Sequence, residues 1–488
     1  MSLTPSKFKH KIFDDLYGII HLTDTEWKLI DSVYFQRLRR IKQLGLANYV
    51  FSGAEHTRFA HSIGVLGVTE RIFQHLHGKI SERDEEKFRI AALLHDIGHF
   101  PLSHTTEQSY DKISGKIKPD DLQPKDPKKQ EKMKESSKKG SKPHEKMGAY
   151  IVLYTNQPGG ITKILKDNGF DDAEISEIAH IITGSHPNIL FNQLMHSDLD
   201  VDRIDYMNRD AKNSGIIYGM FDSEYLIESM ELIDKPGSKH KILCIKAKGL
   251  GALEDFFFAR YHYYTKIIFH RVCFFFDKIA QIIYGKLIEL GMVYSIEQIE
   301  KMYVSGNRDE IIAFNDDYFF KHISKCKDEK RCVDINIFID VILFRQRCDI
   351  VKEKQFWVTK EDKKTIKNNL DKFKKENCAK VSSVYFDPIQ DDVYFQFCET
   401  EKELEMHESG AFEDGNNPIY DLRDPVRLLL DAKVAYTKKA DTKIYGEICL
   451  ENKPYKLVAL CNYDQSLLSE LSKKQLNIFR CYDTNKIG

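Results

Sequence analysis

The sequence predicts a mainly α-helical protein with a smaller α+β lobe at its C-terminal end. Three observations carry this. Apolar residues recur at helical spacing through most of the chain up to about residue 290. Beyond about residue 345 the texture turns to short runs rich in Val, Ile, Tyr and Phe, bounded by turn residues. Hydrophobic residues make up 42% and charged residues 30% of the 488 positions, the balance of a packed chain and not of a disordered one.

Residues 1–108 read as helices joined by short loops. LIDSVYFQRLRRIKQLGL carries Leu29, Ile30, Val33, Phe35, Leu38, Ile41 and Leu44 at helical spacing, with Asp31-Ser32 near its start. ANYVFSGAEH is a connection broken by Gly53, and RFAHSIGVLGVTERIFQHL resumes the helical period. KFRIAALLHDIGH is a strongly apolar helix stopped by Pro101. Residues 110–143 are rich in Lys, Pro, Ser and Gly with almost no apolar side chains, and read as a surface insertion. Helical patterns return from His144 to about Leu290. There GALEDFFFARYHYYTKIIFHRVCFFFDKIAQIIYGKLIEL reads as one central buried helix. In the last third KVSSVYFDPI, DDVYFQFCE, KVAYTK, KIYGEICL and KLVALCNY read as strands and DQSLLSELSKKQLNIF as a late helix. The expected division is a helical core over 1–295 with the insertion at 110–143, a helical connector over 296–345, and an α+β lobe for regulation or oligomerisation over 346–488.

Composition excludes several classes. Lys plus Arg is 73 against Asp plus Glu at 74, so overall charge gives no case for a nucleic-acid binder, although the Lys-rich insertion is a local candidate. No apolar run approaches the ~18 residues of a membrane span. MSLTPSKFKHKIFDDLYG has no apolar stretch after its lysines, hence no secretory signal. The ten cysteines begin at Cys244, form no CxxC pair, and come closest at Cys326 and Cys332, which suits reduced thiols in a cytoplasmic protein.

Four segments supply metal-type ligands: Arg58-Phe59-Ala60-His61, His95-Asp96, His144, and Asp202 within DLDVDRIDYMNRD. Arg58 and His61 are three apart and share a helix face; His95 and His99 are four apart and are expected to do the same, with Gly98 and Pro101 ending the helix. Asp202, Tyr206 and Asp210 form a stripe with Arg203 beside it. Neutral imidazole and carboxylate suit Fe, Mn, Ni, Zn or Co. A divalent ion so held can lower the pKa of water towards ~7. Nearby arginines would neutralise a phosphate.

RIKQLGLANYVFSGAEHTRFAHSIGV, ALLHDIGHFPLSHTTE and DLDVDRIDYMNRDAKNSG together resemble the HD-domain phosphohydrolases, in particular the deoxynucleoside triphosphate triphosphohydrolases. The resemblance runs from about Lys11 to Asp210, continues around Arg260 to Arg271, and fades after about residue 290. It implies that His61, His95, Asp96 and Asp202 hold one divalent ion, with Mg²⁺ on the triphosphate. It makes His104 and Glu107 the catalytic pair and His99 and His144 histidines that line the phosphates. Arg58, Arg203 and Arg260 would contact the triphosphate; Gln43, Leu44, Tyr206 and Asp210 would contact sugar and base. The implied reaction is attack of water on the α-phosphorus of a dNTP, releasing deoxynucleoside and inorganic triphosphate. Lowered dNTP pools would follow, serving housekeeping or defence against phage in a prokaryote. The resemblance further implies a homo-oligomer, dimer or tetramer, with a nucleotide activator read by Asp31, Gln36 and Arg39.

The chain departs from the family pattern in places. The opening D-P-x-H-G is here Asp14-Asp15-Leu16-Tyr17-Gly18, and a Tyr expected two residues before His270 is Ile268. No SAM domain is expected before residue 11. Each assignment has a structural alternative: a buried polar network for the ligand set, a helix cap for His104 and Glu107, ion pairs for the arginines, and plain core for Tyr263, Tyr264 and Phe274 to Phe276. Two functional alternatives stand beside the main reading. One is a phosphatase or phosphodiesterase acting on another nucleotide or a signalling nucleotide. The other is a non-catalytic nucleotide-sensing or nucleic-acid-binding module.

Overall fold

A computed structural model describes residues 7–113, 141–234, 241–329, 335–346 and 349–359, the strands 383–386, 447–449, 457–458 and 474–483, and residues 368, 372 and 376. The chain is mainly α-helical. It opens, however, on a β-hairpin, β1 (His10–Asp14) and β2 (Gly18–Leu22), where helix was expected. Period-2 alternation explains it: Ile20 and Leu22 are buried while Phe13 and Ile19, cross-strand partners, face solvent. Helix α1 (Asp24–Asp31) ends at Ser32, whose extended backbone caps both α1 and α2 (Val33–Gln36). The expected single helix over 29–44 is therefore broken, and Arg37–Arg40 continue as a 3₁₀ turn.

Helix α3 (Arg58–His75) is buried on nearly every side and is the centre of the molecule. It packs against α4 (Glu82–Leu94), followed by α5 (His104–Ile113). Tyr110 is buried, with its hydroxyl at 2.9 Å from Tyr284 Oη, so residues 110–113 belong to α5 and not to the insertion. Pro143 likewise starts α6 (Pro143–Tyr154), and the rest of the expected insertion, 114–140, lies outside the described residues. Next come α7 (Ile161–Asp167), α8 (Asp172–Ile182), α9 (Ile189–His196), α10 (Val201–Ser214) and α11 (Ser223–Glu228). Strands β3 (Met230–Asp234) and β4 (Lys241–Lys246) interrupt what read as continuous helix. The expected central helix is two: α12 (Leu250–Tyr263) and α13 (Arg271–Glu289), separated by a π-turn at Tyr264–Ile268 and an extended His270. Four helices follow, α14 (Ile296–Ser305), α15 (Arg308–Ala313), α16 (Asp316–Asp328) and α17 (Asn336–Leu343), and their Ile299, Tyr303, Phe319, Ile323 and Ile339 join the same core.

Strands β5 (Asp349–Thr359), β6 (Ser383–Phe386) and β9 (Lys474–Asp483) form an antiparallel sheet in the order β5-β9-β6. Strands β7 (Glu447–Cys449) and β8 (Leu457–Val458) extend the β3-β4 hairpin, with β7 parallel to β4. Three expected strands coincide with β6, β7 and β8, whereas DDVYFQFCE and KVAYTK lie outside the described residues. The end of the expected late helix is strand β9, because QLNIFRCY pairs along the whole length of β5. Cys326, buried in α16, is disulfide-bonded, contrary to the expectation of reduced thiols throughout; spacing in sequence does not report distance in space. No helix among the described residues is long and apolar enough to cross a membrane.

One contact positions the site. Helices α3 and α10 meet at Gly64, where a Cβ would overlap Asp205 Oδ1 and Arg209 Nη2. Gly64→Ala is therefore expected to destabilise the fold by about 1–3 kcal/mol, as overpacking does. Gly285→Ala in α13, where a Cβ meets nothing within 4 Å, is the control and should be neutral or stabilising. Urea melts of the two variants beside the parent check the contrast.

Candidate metal centre and active site

Thr57 caps α3 and places Arg58 and His61 on its first turn, facing α10. Helix α4 ends at Leu94, so His95 is its cap and His99 follows in a turn closed by His99 N–H to Asp96 O at 3.1 Å. The expected shared helix face of His95 and His99 is thus replaced by a turn, which sends the two rings into neighbouring clusters. Asp200 caps α10, accepting from Arg203 N, and its first turn carries Asp202.

The first cluster is His61, His95 and Asp202, whose ligand-type atoms all lie within 4.8 Å of one another. His61 Nδ1 donates to Asp205 Oδ2 at 2.7 Å and His95 Nδ1 to Ala92 O at 2.8 Å. Each ring therefore turns Nε2 inward. The two Nε2 atoms are 3.2 Å apart, and Asp202 Oδ1 is 3.0 Å from His61 Nε2 and 3.7 Å from His95 Nε2. Donors ~2.1 Å from one cation stand about 3.0 Å apart at right angles and about 3.4 Å apart in a tetrahedron, so these separations fit a shared ion. Asp96 stands beside the trio, Oδ1 3.4 Å from His95 Nε2 and Oδ2 3.5 Å from His61 Nε2. Arg58 Nη1 holds the same Oδ2 at 2.7 Å. The four residues expected to bind metal are brought together.

Behind them lies a support that the sequence reading missed. Asp205 Oδ2 accepts from His61 Nδ1 and from Arg209 Nε, and Oδ1 accepts from Arg209 Nη2, the two arginine bonds at 2.9 Å each. Arg209, 1% exposed, also reaches Asp14 and Asp15 in the hairpin turn at 2.9 Å each. The spacing of Asp205 and Arg209, four apart, was the available signal. Burial alone would lower the proton affinity of His61, but Asp202, Asp205 and Asp96 raise its pKa to about 10. Asp202 and Asp96 are themselves held well below the ordinary carboxylate range: burial opposes this, but His61 and His95 win at Asp202, and Arg58 with the histidines wins at Asp96.

The second cluster is His99, His104, Glu107 and His144. Glu107 accepts from His104 Nδ1 at 2.7 Å, His144 Nδ1 at 2.8 Å and His144 N at 3.0 Å. His99 stacks on His144 with ring centroids 4.0 Å apart, and its Nε2 is 3.1 Å from Asp96 Oδ1. Desolvation, then the positive charge of Arg58, pushes His99 well below the usual imidazole value. His104 is lowered as well, chiefly by desolvation, which outweighs Glu107. Glu107 is held low: burial raises it, but His144 and His104 stabilise the anion. Both clusters reach solvent, through Asp202 with 26% and His104 with 47% of the side chain exposed.

The remaining candidates surround these clusters. Arg58 Nε reaches Ser103 Oγ and Nη2 reaches Gln43 O. Arg203 pairs with Asp200, and Arg260 Nη1 reaches Asp198 Oδ1 at 3.0 Å. Arg203 Nε, Arg260 Nε and Nη2, and Gln43 Oε1 are buried without a partner among the described residues. Tyr206 and Leu44 border an aromatic cluster with Tyr263 and Tyr264, next to Ile268. Asp210 accepts from Tyr263 Oη at 2.8 Å and lies 2.6 Å from His56 Nε2; neither partner was singled out from the sequence as polar support. Asp31 is exposed, and Gln36 Oε1 accepts from Arg39, whose guanidinium lies 3.5 Å over Phe59.

Residues 58–210 match the family model described as HD domain, and every candidate metal ligand falls inside that span. The chain carries an HD domain. YwfO of Bacillus subtilis, uncharacterized, is 30% identical over 285 residues, covering 57% of this chain and 55% of its own. The deoxynucleoside triphosphate triphosphohydrolase SAMHD1 of Xenopus laevis is 29% identical over 342 residues, covering 62% of this chain and 49% of its own. The chain thus spans about half the length of these relatives. The fold is shared with the crystal structure of a hypothetical protein from Aquifex aeolicus, at a TM-score of 0.65 and 23% identity over 98% of this chain and 97% of that one.

Two predictions follow from the first cluster. With a pKa of about 10, His61 carries near neutral pH the proton that a cation would displace. Metal affinity should therefore rise with pH, by about tenfold per unit for one released proton. Calorimetric titration with Mn²⁺ in two buffers of different ionisation enthalpy measures the release; an affinity that is flat between about pH 7 and 9 would contradict it. Asp202→Ala should lose bound metal while keeping the parent's circular dichroism, as read by elemental analysis after dialysis.

Proposed function

We propose that the protein is a metal-dependent hydrolase that removes inorganic triphosphate from dNTPs. One observation carries this reading. A trio of metal-type donors and an acid–base cluster stand side by side, joined through Asp96 and His99 at 3.1 Å, and both reach solvent. The similarity to proteins named deoxynucleoside triphosphate triphosphohydrolase supports the choice of substrate.

A divalent ion held by His61, His95, Asp96 and Asp202 would supply Lewis acidity and make water a competent nucleophile near neutral pH. The chain's own groups do the rest. Arg58, Arg203 and Arg260 supply positive charge, and the buried unpartnered N–H groups of Arg203 and Arg260 are donors suited to phosphate oxygens. His99, kept neutral and with its ring nitrogens buried without a hydrogen-bond partner among the described residues, can donate a hydrogen bond to a phosphate. His104 presents Nε2, because Nδ1 is committed to Glu107. The arriving polyanion raises the proton affinity of that ring. With the polyanion bound, His104 Nε2 takes up a proton from solvent; water adds to the α-phosphorus and releases a proton to solvent, the bond to the 5′ oxygen breaks, and that oxygen takes the Nε2 proton, so that deoxynucleoside and triphosphate leave. Tyr206 and Leu44 border the aromatic side, where sugar and base would lie within reach of Gln43. A cytoplasmic homo-oligomer with a nucleotide activator at Asp31, Gln36 and Arg39 belongs to the same proposal.

Incubation with Mn²⁺ and a panel of dNTPs, NTPs and monophosphates tests the reaction. Inorganic triphosphate is the expected product, and orthophosphate alone would refute the reading. His104→Ala should retain metal but lose roughly 10²–10⁴-fold in turnover.

A further inference from the structure

His104 is reached through an unusual piece of backbone. Leu102 and Ser103 adopt φ of 58° and 55°, two consecutive non-glycine residues in the left-handed region, immediately before α5. Side chains that carry Cβ rarely adopt this conformation, and it persists only where the surroundings impose it. The surroundings are specific. Leu102 N–H donates to Asp316 Oδ1 at 2.7 Å, and the other oxygen of the same carboxylate accepts from Lys42 N–H at 2.9 Å. Ser103 Oγ closes the unit, donating to Lys42 O at 2.7 Å and accepting from Arg58 Nε at 2.9 Å.

Asp316 is the first residue of α16, more than 200 positions along the chain from Leu102, and it is buried. It is itself anchored. Arg37, fully buried, donates through Nη1 to Phe314 O and to His99 O at 2.9 Å each, and through Nη2 to Ile97 O at 2.8 Å. The junction between α15 and α16 therefore grips both turns that present His99 and His104.

We propose that Asp316 is a positioning residue for His104: its carboxylate clamps the turn before α5 to the Lys42–Gln43 loop and so sets the imidazole against the substrate. This rests on the reading of His104 as the proton-handling group. The clamp is a carboxylate because it must accept two backbone N–H groups from two separate loops at once, one on each oxygen. Asp316→Asn keeps a single acceptor oxygen and Asp316→Ala keeps none, so their effects should be graded.

The experiment uses the full chain with Mn²⁺ bound. Hydrogen exchange followed by mass spectrometry should show faster exchange in peptides covering 41–44 and 100–104 in both variants, with the α4 core unchanged. Turnover of a dNTP should fall by about ten- to hundredfold in Asp316→Ala, as a misplacement of ~1 Å does, with KM and metal content retained. The double variant with His104→Ala should be no slower than His104→Ala alone, because both act through one group. Unchanged exchange, faster exchange with normal kcat, or losses that multiply in the double variant would each overturn the proposal. If the parent protein hydrolyses no dNTP, the proposed function fails first, and the clamp then stands or falls on the exchange measurement.

Discussion

His61 Nδ1–H donates a hydrogen bond to Asp205, whose negative charge is balanced by the buried Arg209. This chain of charge-assisted bonds runs from the hairpin carboxylates Asp14 and Asp15 to the face that the metal-type donors share. An isolated buried carboxylate costs several kcal/mol, so Asp205 is tolerable only with Arg209 beside it. The pair fits between α3 and α10 only because Gly64 has no side chain. Packing and chemistry are thus one problem here. A Cβ at residue 64 would push against the same carboxylate that aims the His61 imidazole.

The two histidine clusters show how surroundings divide one residue type between two tasks. Carboxylates on both sides of His61 raise its affinity for a proton and, by the same electrostatics, for a cation. His99, fully buried, sits where desolvation dominates and the positive charge of Arg58 adds to it, so it rests neutral, and His104 is shifted in the same direction. The first arrangement favours holding charge, the second favours passing a proton. Asp96 and Arg58 stand at the border and take part in both. Groups whose proton affinities are driven apart within a few ångströms are what acid–base chemistry beside a cation requires.

Much of the site was legible because it is local. Arg58 and His61 on one turn and Asp202, Tyr206 and Asp210 along one face follow from helical geometry, whereas His104 with Glu107 was legible only through the family resemblance. The errors arose where tertiary context overruled local pattern. GIIHL and KILCIK are apolar enough for either helix or strand, and pairing partners made them strands. The long aromatic stretch from Gly251 to Leu290 is helical by composition, yet a π-turn and the extended His270 divide it and bring Tyr263 and Tyr264 beside Tyr206. Asp316 and Arg37 carried no signal at all, since an acid at a helix start and an arginine in a basic run are ordinary features of a sequence.

By itself, then, the sequence determined the kind of chemistry available: which imidazoles, carboxylates and guanidinium groups exist, and which of them share a helical turn. That information is local, because side-chain spacing along a helix is set by the backbone repeat alone. Only the tertiary structure decided which nitrogen of each imidazole faces inward, which acids stay charged, and which distant residue holds the turn before His104. Those outcomes depend on burial and on partners far away in the chain, and through-space distance has no counterpart in sequence separation.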